Sequence, residues 1–314
     1  MNQPQVLQHS RSLKDLLNSS SLEFLMEAHD GLSAKIVEET GFAGIWASGL
    51  SMSAAMGLRD CNEASWTQVV DQAAFMRDAT SIPILLDGDS GFGDFNIFRR
   101  VVKKLGQVGI DGVCIEDKLY PKRNSFATCE QKLCDADEFC GKIKAAKDSQ
   151  LSDDFAVVAR LEGYIVGLGT EEVLERAYQY NEAGADAILV HSKIKDASQV
   201  LEFAKLWDAD TPLVIVPTTY NQTPTNIFEE AGFSAAIWAN HNLRTVITAM
   251  QETCQHIFEE QTTAALEDAI APISEVFRLQ NMEELTKAEA KYLSGGEAGR
   301  SILNDKTEVC TTNR

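Results

Sequence analysis

Short apolar runs alternate with longer stretches of helical periodicity along most of the chain. The apolar runs predict eight strands, at residues 24–28, 43–48, 83–88, 112–116, 156–161, 186–190, 212–216 and 235–238. Between them, the spacing of apolar residues predicts helices over 31–40, 66–79, 95–107, 135–147, 170–182 and 197–207. Because strand and helix alternate eight times, we predict an α/β fold, a (β/α)₈ TIM-type barrel.

Glycines stand shortly before four of the predicted strands, in the runs that begin at Gly41, Gly109, Gly184 and Gly232. Glycine adopts the left-handed conformation that ends many helices at little cost. These runs are therefore interpreted as helix C-caps and not as phosphate-binding loops.

Helical periodicity continues after the eighth predicted strand, over 242–260 and 273–293. Extra amphipathic helices of this kind often pack on a neighbouring subunit, so we expect a homotetramer or homodimer with helices exchanged between subunits. The domain prediction is a catalytic barrel over 1–260 and a helical extension over 261–293. The polar, glycine-containing residues 294–314 are expected to form a disordered tail.

The charge balance narrows the possible partners, with 47 acidic against 28 basic residues and a formal net charge of −19. Such a chain is not expected to bind nucleic acid or an anionic membrane surface. An anionic small-molecule substrate would need a local cationic site. The seven cysteines form no CxxC pair, and no apolar run approaches membrane-spanning length, so we expect a cytoplasmic protein.

Charged residues end several predicted strands, and in a parallel barrel these positions meet at one mouth. They are Asp87 and Asp89, Glu116 and Asp117, Arg160 and Glu162, and His191. Asp87 and Asp89 are expected on the same side of an extended chain, with Gly91 and Gly93 turning the backbone away. Together with Glu116 they offer oxygen ligands suited to Mg²⁺, with Mn²⁺ as a substitute. Alternatively, each aspartate only caps the following helix.

Two loops near the same mouth carry further candidates. Residues 116–126 include Lys118, Lys122, Arg123, Asn124 and Ser125, which could clamp a phosphate or phosphonate; the alternative is an ordinary solvated loop. Residues 45–65 place Ser48, Gly49 and Leu50 directly after the second strand, where backbone N–H groups could face an enolate oxygen. Asp60 lies further along that loop, and a plain turn remains the alternative there.

Several long runs then show a family resemblance. "EAHDGLSAKIVEETGFAGIWASGLSMSAAMGLRDCNEASWTQVV", "PILLDGDSGFGDFN", "EDKLYPKRNS", "AGADAILVHSK", "VIVPTTY" and "IWANHNLR" closely resemble the phosphoenolpyruvate mutase family of the isocitrate lyase superfamily. The resemblance covers residues 20–292. It implies an isomerase that moves a phosphoryl group between the enol oxygen and C3 of pyruvate, interconverting phosphoenolpyruvate and phosphonopyruvate.

The resemblance also implies roles for individual residues. Asp87 corresponds to the direct Mg²⁺ ligand, with Asp89 and Glu116 holding the metal through water. Arg160 would bind the substrate carboxylate, and His191 would stand near the transferring group. The implied substrate cradle consists of Trp46, Ser48, Gly49 and Leu50, and the implied gating loop carries Lys122, Asn124 and Ser125. Asp60 corresponds either to a nucleophile or to an electrostatic guide.

Three other functions remain open. A phosphonopyruvate hydrolase shares the fold and metal site, but its gating loop departs from the asparagine found here as Asn124. The C–C lyases of the superfamily carry a cysteine in the loop where this chain has KRNS. A catalytically silent barrel that only binds phosphorylated metabolites would have no need of Asp60, Asp87, Lys122, Asn124 and Arg160 together.

Overall fold

Eight parallel strands form one closed sheet in this computed structural model, which describes residues 11–127 and 129–293. Each strand pairs with the next along the chain, and the last pairs with the first, which confirms the predicted (β/α)₈ barrel. The strands are β1 (Glu23–Ala28), β2 (Gly44–Ala47), β3 (Ile84–Asp87), β4 (Gly112–Glu116), β5 (Ala156–Leu161), β6 (Ala187–Val190), β7 (Leu213–Ile215) and β8 (Phe233–Trp238).

The six helices predicted between the strands begin and end within a residue of the predicted limits. The helices up to the eighth strand are α1 (Leu13–Leu17), α2 (Gly31–Thr40), α3 (Gly49–Ala55), α4 (Trp66–Ala79), α5 (Phe95–Gln107), α6 (Ala136–Lys147), α7 (Gly163–Val166), α8 (Thr170–Glu182), α9 (Ser198–Leu206) and α10 (Thr225–Glu230). The short helices α1, α3, α7 and α10 were not predicted. The four predicted C-cap glycines have left-handed backbones, with φ between +79° and +99°.

The chain divides into two compact units between Thr248 and Ala249, within α11 (His241–Glu260). The second unit contains α12 (Ile273–Leu279) and α13 (Met282–Tyr292). The helical stretch predicted over 273–293 is thus interrupted, because Asn281 adopts a left-handed conformation with φ +55°. The predicted domain limits at 260 and 293 stay predictions, and residues 294–314 lie outside the described residues. Within the described ranges, no helix is long and apolar enough to cross a bilayer.

Alternation along the strands determines what fills the barrel interior. Leu85, Cys114, Val158 and Leu189 belong to one buried cluster inside the sheet. Because side chains of a strand alternate between its two faces, the residue two positions later points into the same interior. Those later residues are Asp87, Glu116, Arg160 and His191. Packing of the barrel interior therefore aims these four polar groups at its C-terminal opening.

The opposite end of the barrel is closed by apolar side chains. Leu13 and Leu17 of α1 are fully buried and belong to the same interior cluster. A Cβ on Gly112, the first residue of β4, would stand 2.5 Å from Leu13 Cδ2. The interior is therefore reached from the C-terminal side, where the polar groups lie.

Candidate active site

A cavity opens at the C-terminal ends of the strands and brings together most of the predicted site residues. Of the thirteen residues to which the family resemblance assigns a role, Gly49 and Asp89 do not line the cavity. Its lining residues are Trp46, Ser48, Leu50, Asp60, Asp87, Glu116, Lys122, Asn124, Ser125, Phe126, Arg160, His191, Val216, Thr218, Ala239 and Asn240. The strand-end rule therefore located the cavity and four residues of its wall, Asp87, Glu116, Arg160 and His191.

The loop after β3 carries the predicted metal ligands, but its backbone is not extended as expected. Asp89 has φ +51°, so the chain turns at this residue, and its carbonyl accepts a hydrogen bond from Glu116 N–H at 2.8 Å. The two carboxylates nevertheless converge, since a Cβ on Gly49 would lie 3.1 Å from Asp87 Oδ2 and 3.2 Å from Asp89 Oδ1. Gly91 and Gly93 turn the backbone away as predicted, with φ +91° and +152°.

The acidic cluster offers buried carboxylate oxygens to a divalent metal. Glu116 Oε1 is buried and has no hydrogen-bond partner among the described residues. Burial raises the pKa of Glu116 to about 7 and that of Asp89 to about 6, although the Lys122 ammonium opposes both shifts. Buried, under-compensated carboxylate oxygens of this kind are the donors that a hard cation takes. Across residues 11–127 and 129–293, however, no three acidic, His or Cys side chains already stand as a metal-binding group.

The Lys122 ammonium instead compensates this charge. Its Nζ lies 2.6 Å from Asp89 Oδ1, an ion pair without hydrogen-bond geometry, and 2.8 Å from Asp60 Oδ1. Burial would lower the pKa of Lys122, but Asp89, Glu116, Asp60 and Asp87 together raise it well above its usual value. The donor set therefore fits a divalent cation if Lys122 moves off Asp89.

The segment after β2 begins a helix and is not a plain turn. Ser48 is the N-cap of α3, and its side chain accepts a hydrogen bond from Ser51 N–H. Gly49 N–H donates to Asp87 Oδ2 at 3.2 Å. Of the two N–H groups predicted to face an enolate oxygen, that of Gly49 is therefore occupied by a carboxylate here.

The basic loop lies over the cavity, where Lys122 and Asn124 meet the β2–α4 segment. Asn124 Nδ2 donates to Asp60 Oδ2 at 2.6 Å. Burial would raise the pKa of Asp60, but Lys122 and Asn124 hold it below its usual value. Asn62 strengthens the contact, since its Oδ1 accepts from Lys122 N–H at 2.7 Å and its Nδ2 donates to Asp89 Oδ2 at 2.7 Å. Asn62 was not predicted, because nothing in its sequence position indicates its left-handed backbone, with φ +61°.

Glu162 is a fully buried carboxylate at the centre of the charged network. Its Oε1 accepts from Arg160 Nε at 2.6 Å and from His191 Nδ1 at 2.6 Å. Burial alone would raise the pKa of Glu162, but Arg160, His191 and Lys118 lower it well below its usual value. The strand-end rule had collected Glu162 without assigning it a role, because strand position alone does not identify its partners.

The contacts of His191 fix its tautomer. A carboxylate only accepts, so Nδ1 carries the proton that goes to Glu162, and the 2.9 Å approach of Arg160 Nη2 to the same nitrogen is not a hydrogen bond. Burial lowers the pKa of His191 despite the attraction of Glu162. The neutral ring therefore presents an unprotonated Nε2.

Comparison with known proteins places this geometry in a family. Residues 13–258 match the family model for phosphoenolpyruvate phosphomutase. The chain belongs to this family. It is 55% identical to the phosphoenolpyruvate phosphomutase of Tetrahymena pyriformis over 90% of this chain and 94% of the relative. The family resemblance predicted from the sequence is confirmed.

Solved structures agree with this membership. A phosphoenolpyruvate phosphomutase from Streptomyces platensis subsp. rosaceus superposes with a TM-score of 0.88 at 40% identity, covering 90% of this chain and 98% of that one. A phosphonopyruvate hydrolase in complex with oxalate and Mg²⁺ superposes with a TM-score of 0.85 at 35% identity, with the same coverage. The superfamily to which both belong uses a divalent metal.

Proposed function

We propose that this chain is a phosphoenolpyruvate phosphomutase that interconverts phosphoenolpyruvate and 3-phosphonopyruvate. The observation that carries the proposal is the hydrogen bond between Asn124 and Asp60, which joins the loop to the cavity wall. In one direction the P–C3 bond of phosphonopyruvate breaks and a P–O bond forms to the enolate oxygen of the same pyruvate unit. The reaction conserves all atoms and needs no water.

Asp87, Asp89 and Glu116 would hold a divalent cation, which we propose to be Mg²⁺, with Mn²⁺ as a substitute. Bound there, the cation would neutralise charge on the pyruvate oxygens and on a protein that carries −19 overall. The unpartnered Glu116 Oε1 and the converging carboxylates at Gly49 support this assignment.

The remaining charged residues of the cavity would bind and orient the substrate. Arg160, held by Glu162, would take the substrate carboxylate in a planar, two-point contact. Trp46, Ser48, Gly49 and Leu50 would cradle the pyruvate unit. The backbone N–H groups of Leu50 and, once released from Asp87, of Gly49 would lie near the enolate oxygen. Phosphoryl transfer depends mainly on such positioning and on charge stabilisation.

The loop residues would act on the phosphoryl group itself. Lys122 and Asn124 offer donors above the cavity. Ser125 also lines the cavity, with its hydroxyl donated to Glu162, and His191 lies beside them. Asp60 carries a negative charge at ordinary pH, since its pKa is lowered. It would either accept the phosphoryl group or guide a metaphosphate-like group between the two ends of pyruvate.

³¹P NMR of phosphonopyruvate with the purified protein and Mg²⁺ tests the function. We expect a phosphoenolpyruvate signal, lost with EDTA and restored by Mg²⁺ or Mn²⁺. Inorganic phosphate as the main product would identify a hydrolase instead. No new signal, with phosphonopyruvate still bound in a separate binding measurement, would identify a silent barrel.

We further propose a cytoplasmic homo-oligomer, either a dimer or a tetramer. The residues of the second unit expose many large apolar side chains, among them Phe258, Ile273, Phe277 and Tyr292. Faces of this kind are usual where a second subunit packs. Sedimentation measurements at several concentrations would distinguish these assemblies from a monomer.

A further inference from the structure

The basic loop is held at two separate places, its tip and its base. We call residues 119–127 and 129–132 the lid. At the base, the two flanking segments pair like a short antiparallel ladder, with a bridge between Lys118 and Leu133. Leu119 N–H donates to Lys132 O at 3.0 Å, and Cys134 N–H donates to Asp117 O at 2.9 Å. The base of the lid is therefore a stem held by backbone pairing.

The tip contacts involve groups that also serve the substrate. Lys122 and Asn124 contact Asp60, and Lys122 also pairs with Asp89. Lys122, Asn124 and Asp60 line the cavity. Metal and substrate would compete for these same side chains, so the tip contacts must change during turnover.

Lys118, at the base of the lid, makes contacts of a different kind. Lys118 Nζ lies 3.0 Å from Glu162 Oε2 and donates to Ser125 Oγ at 2.5 Å and to Arg123 O at 3.0 Å. Ser125 Oγ in turn donates to Glu162 Oε2 at 2.7 Å. The ammonium and the carboxylate are 2% and 0% exposed, so neither solvent nor salt screens them effectively. One cation thus ties two lid residues to the end of β5.

Neither Lys118 nor Glu162 is among the residues that line the cavity. A ligand in the cavity therefore has no need to displace their contact. The ion pair between Lys118 and Glu162 can therefore persist while the side chains of Lys122 and Asn124 exchange partners.

We propose that Lys118 is the latch of the lid: while the lid is closed, it holds Ser125 and Arg123 against Glu162 and so keeps water from the transferring phosphoryl group. This rests on the proposed function. If the lid opens while the P–C3 bond is broken, water supplies the new P–O bond, the enolate is protonated at C3, and the products are pyruvate and phosphate. Latch strength therefore determines how much substrate isomerises and how much hydrolyses.

The test measures two quantities in wild type, Lys118→Met and Ser125→Ala. The first is the ratio of initial rates of phosphate and phosphoenolpyruvate formation from phosphonopyruvate, with Mg²⁺ present. The second is the rate of trypsin cleavage after the exposed Arg123 in the lid. For Lys118→Met we expect both to rise by about ten- to a hundredfold, the population change that loss of one charge-assisted hydrogen bond allows.

Lys132→Met is the matched control, because this lysine also lies at the base of the lid but its side chain is 59% exposed. It should leave both quantities at wild-type values. Ser125→Ala keeps the buried ion pair intact. Because Ser125 also lines the cavity, the trypsin cleavage rate of this variant, which does not depend on catalysis, decides the question if Lys118→Met does not fold. In the double variant the effect should not exceed the larger single effect, because Lys118 acts on the lid largely through Ser125.

If the product ratio and the cleavage rate are both unchanged in the folded variants, Lys118 is not the latch of the lid. Effects that multiply in the double variant overturn the link through Ser125. A wild-type protein that forms no phosphoenolpyruvate would refute the proposed function, and the cleavage rates would still decide whether Lys118 holds the lid.

Discussion

The two sides of the barrel mouth follow the same strand-end rule and carry opposite chemistry. On one side, β3 to β6 present Asp87, Glu116, Arg160 and His191, which we call the charged side. On the other, which we call the neutral side, the wall after β7 and β8 consists of Val216, Thr218, Ala239 and Asn240. The fold therefore supplies positions, and the residue types at them decide where bonds are broken.

The two sides also differ in the contacts that their buried polar groups make. On the charged side, Glu162 contacts Arg160, His191, Lys118 and Ser125 within 3.0 Å. On the neutral side, Thr218 Oγ1 and Asn240 Oδ1 are buried and find no hydrogen-bond partner among the described residues. Burying many ionised groups is costly, and an apolar replacement is often as stable. Retaining them on one side only is what a site for anion chemistry requires.

Removing a carboxylate of the acidic cluster should have the largest effect. Asp87→Ala deletes the proposed direct ligand, and we expect kcat to fall by at least about 10³-fold, with Mg²⁺ affinity lost in calorimetric titration. Asp94→Ala is the control, because Asp94 belongs to the same loop but only caps α5. Normal metal binding by Asp87→Ala would refute the ligand assignment.

Neutralising the centre of the network should have the next largest effect. Glu162→Gln leaves the Arg160 and Lys118 cations without their buried partner, so we expect a loss of about 3–5 kcal/mol in the free energy of unfolding. Below its melting temperature, kcat should fall by about 10- to 100-fold, as for other residues that orient catalytic groups. Glu171→Gln, an exposed change in the first turn of α8, should be neutral. Wild-type kcat in folded Glu162→Gln would show that orientation of Arg160 and His191 does not depend on it.

One charged pair near the neutral side stabilises the fold and is not among the residues that line the cavity. Glu27 is fully buried and accepts from His29 Nδ1 at 2.6 Å and from Leu243 N–H at 3.0 Å. The hydrogen bond to Glu27 raises the pKa of His29 above its ordinary value of 6.5, although burial opposes the shift. The stabilisation of the fold by protonated His29 is therefore complete below the ordinary pKa of 6.5, and it is lost as the pH rises through the raised pKa.

His29→Gln should consequently lower the melting temperature more at pH 5.5 than at pH 8.5. Thermal denaturation of both proteins across this range measures the difference. A difference that is constant with pH, or that grows toward alkaline pH, would contradict the assignment. Turnover at a fixed pH should stay close to that of the wild type.

The smallest effect should come from the neutral side itself. Thr218→Val removes a hydroxyl that makes no hydrogen bond to the described residues, so stability should be unchanged or rise by up to about 1 kcal/mol. We expect kcat/KM to change by less than about fivefold, because no charge is removed. A larger loss would show that the substrate reaches the end of β7 and would blur the distinction between the two sides.

The sequence allowed the barrel and most of the cavity to be predicted because both depend on periodicity. Asp87, Glu116, Arg160 and His191 each follow an interior apolar residue by two positions, and this spacing is visible in the chain. The turn at Asp89 was missed because a left-handed aspartate has no such signature.

Contacts between residues of distant loops also could not be predicted from the sequence. Lys118 and Glu162 are 44 positions apart, and their contact depends on the direction of two side chains rather than on strand ends. The short α3 was missed because Gly49 and its small neighbours resemble a turn, although Ser48 is a favoured N-cap residue.

Gly49 has a consequence that reaches beyond its own helix. A single methyl group there would press on both Asp87 and Asp89, at 3.1 and 3.2 Å. The spacing between Asp87, at the end of β3, and Asp89, in the loop after it, is thus limited by a glycine that begins α3. A series of enlarged side chains at this position would act as a graded wedge, spreading the acids apart while leaving each of them chemically intact.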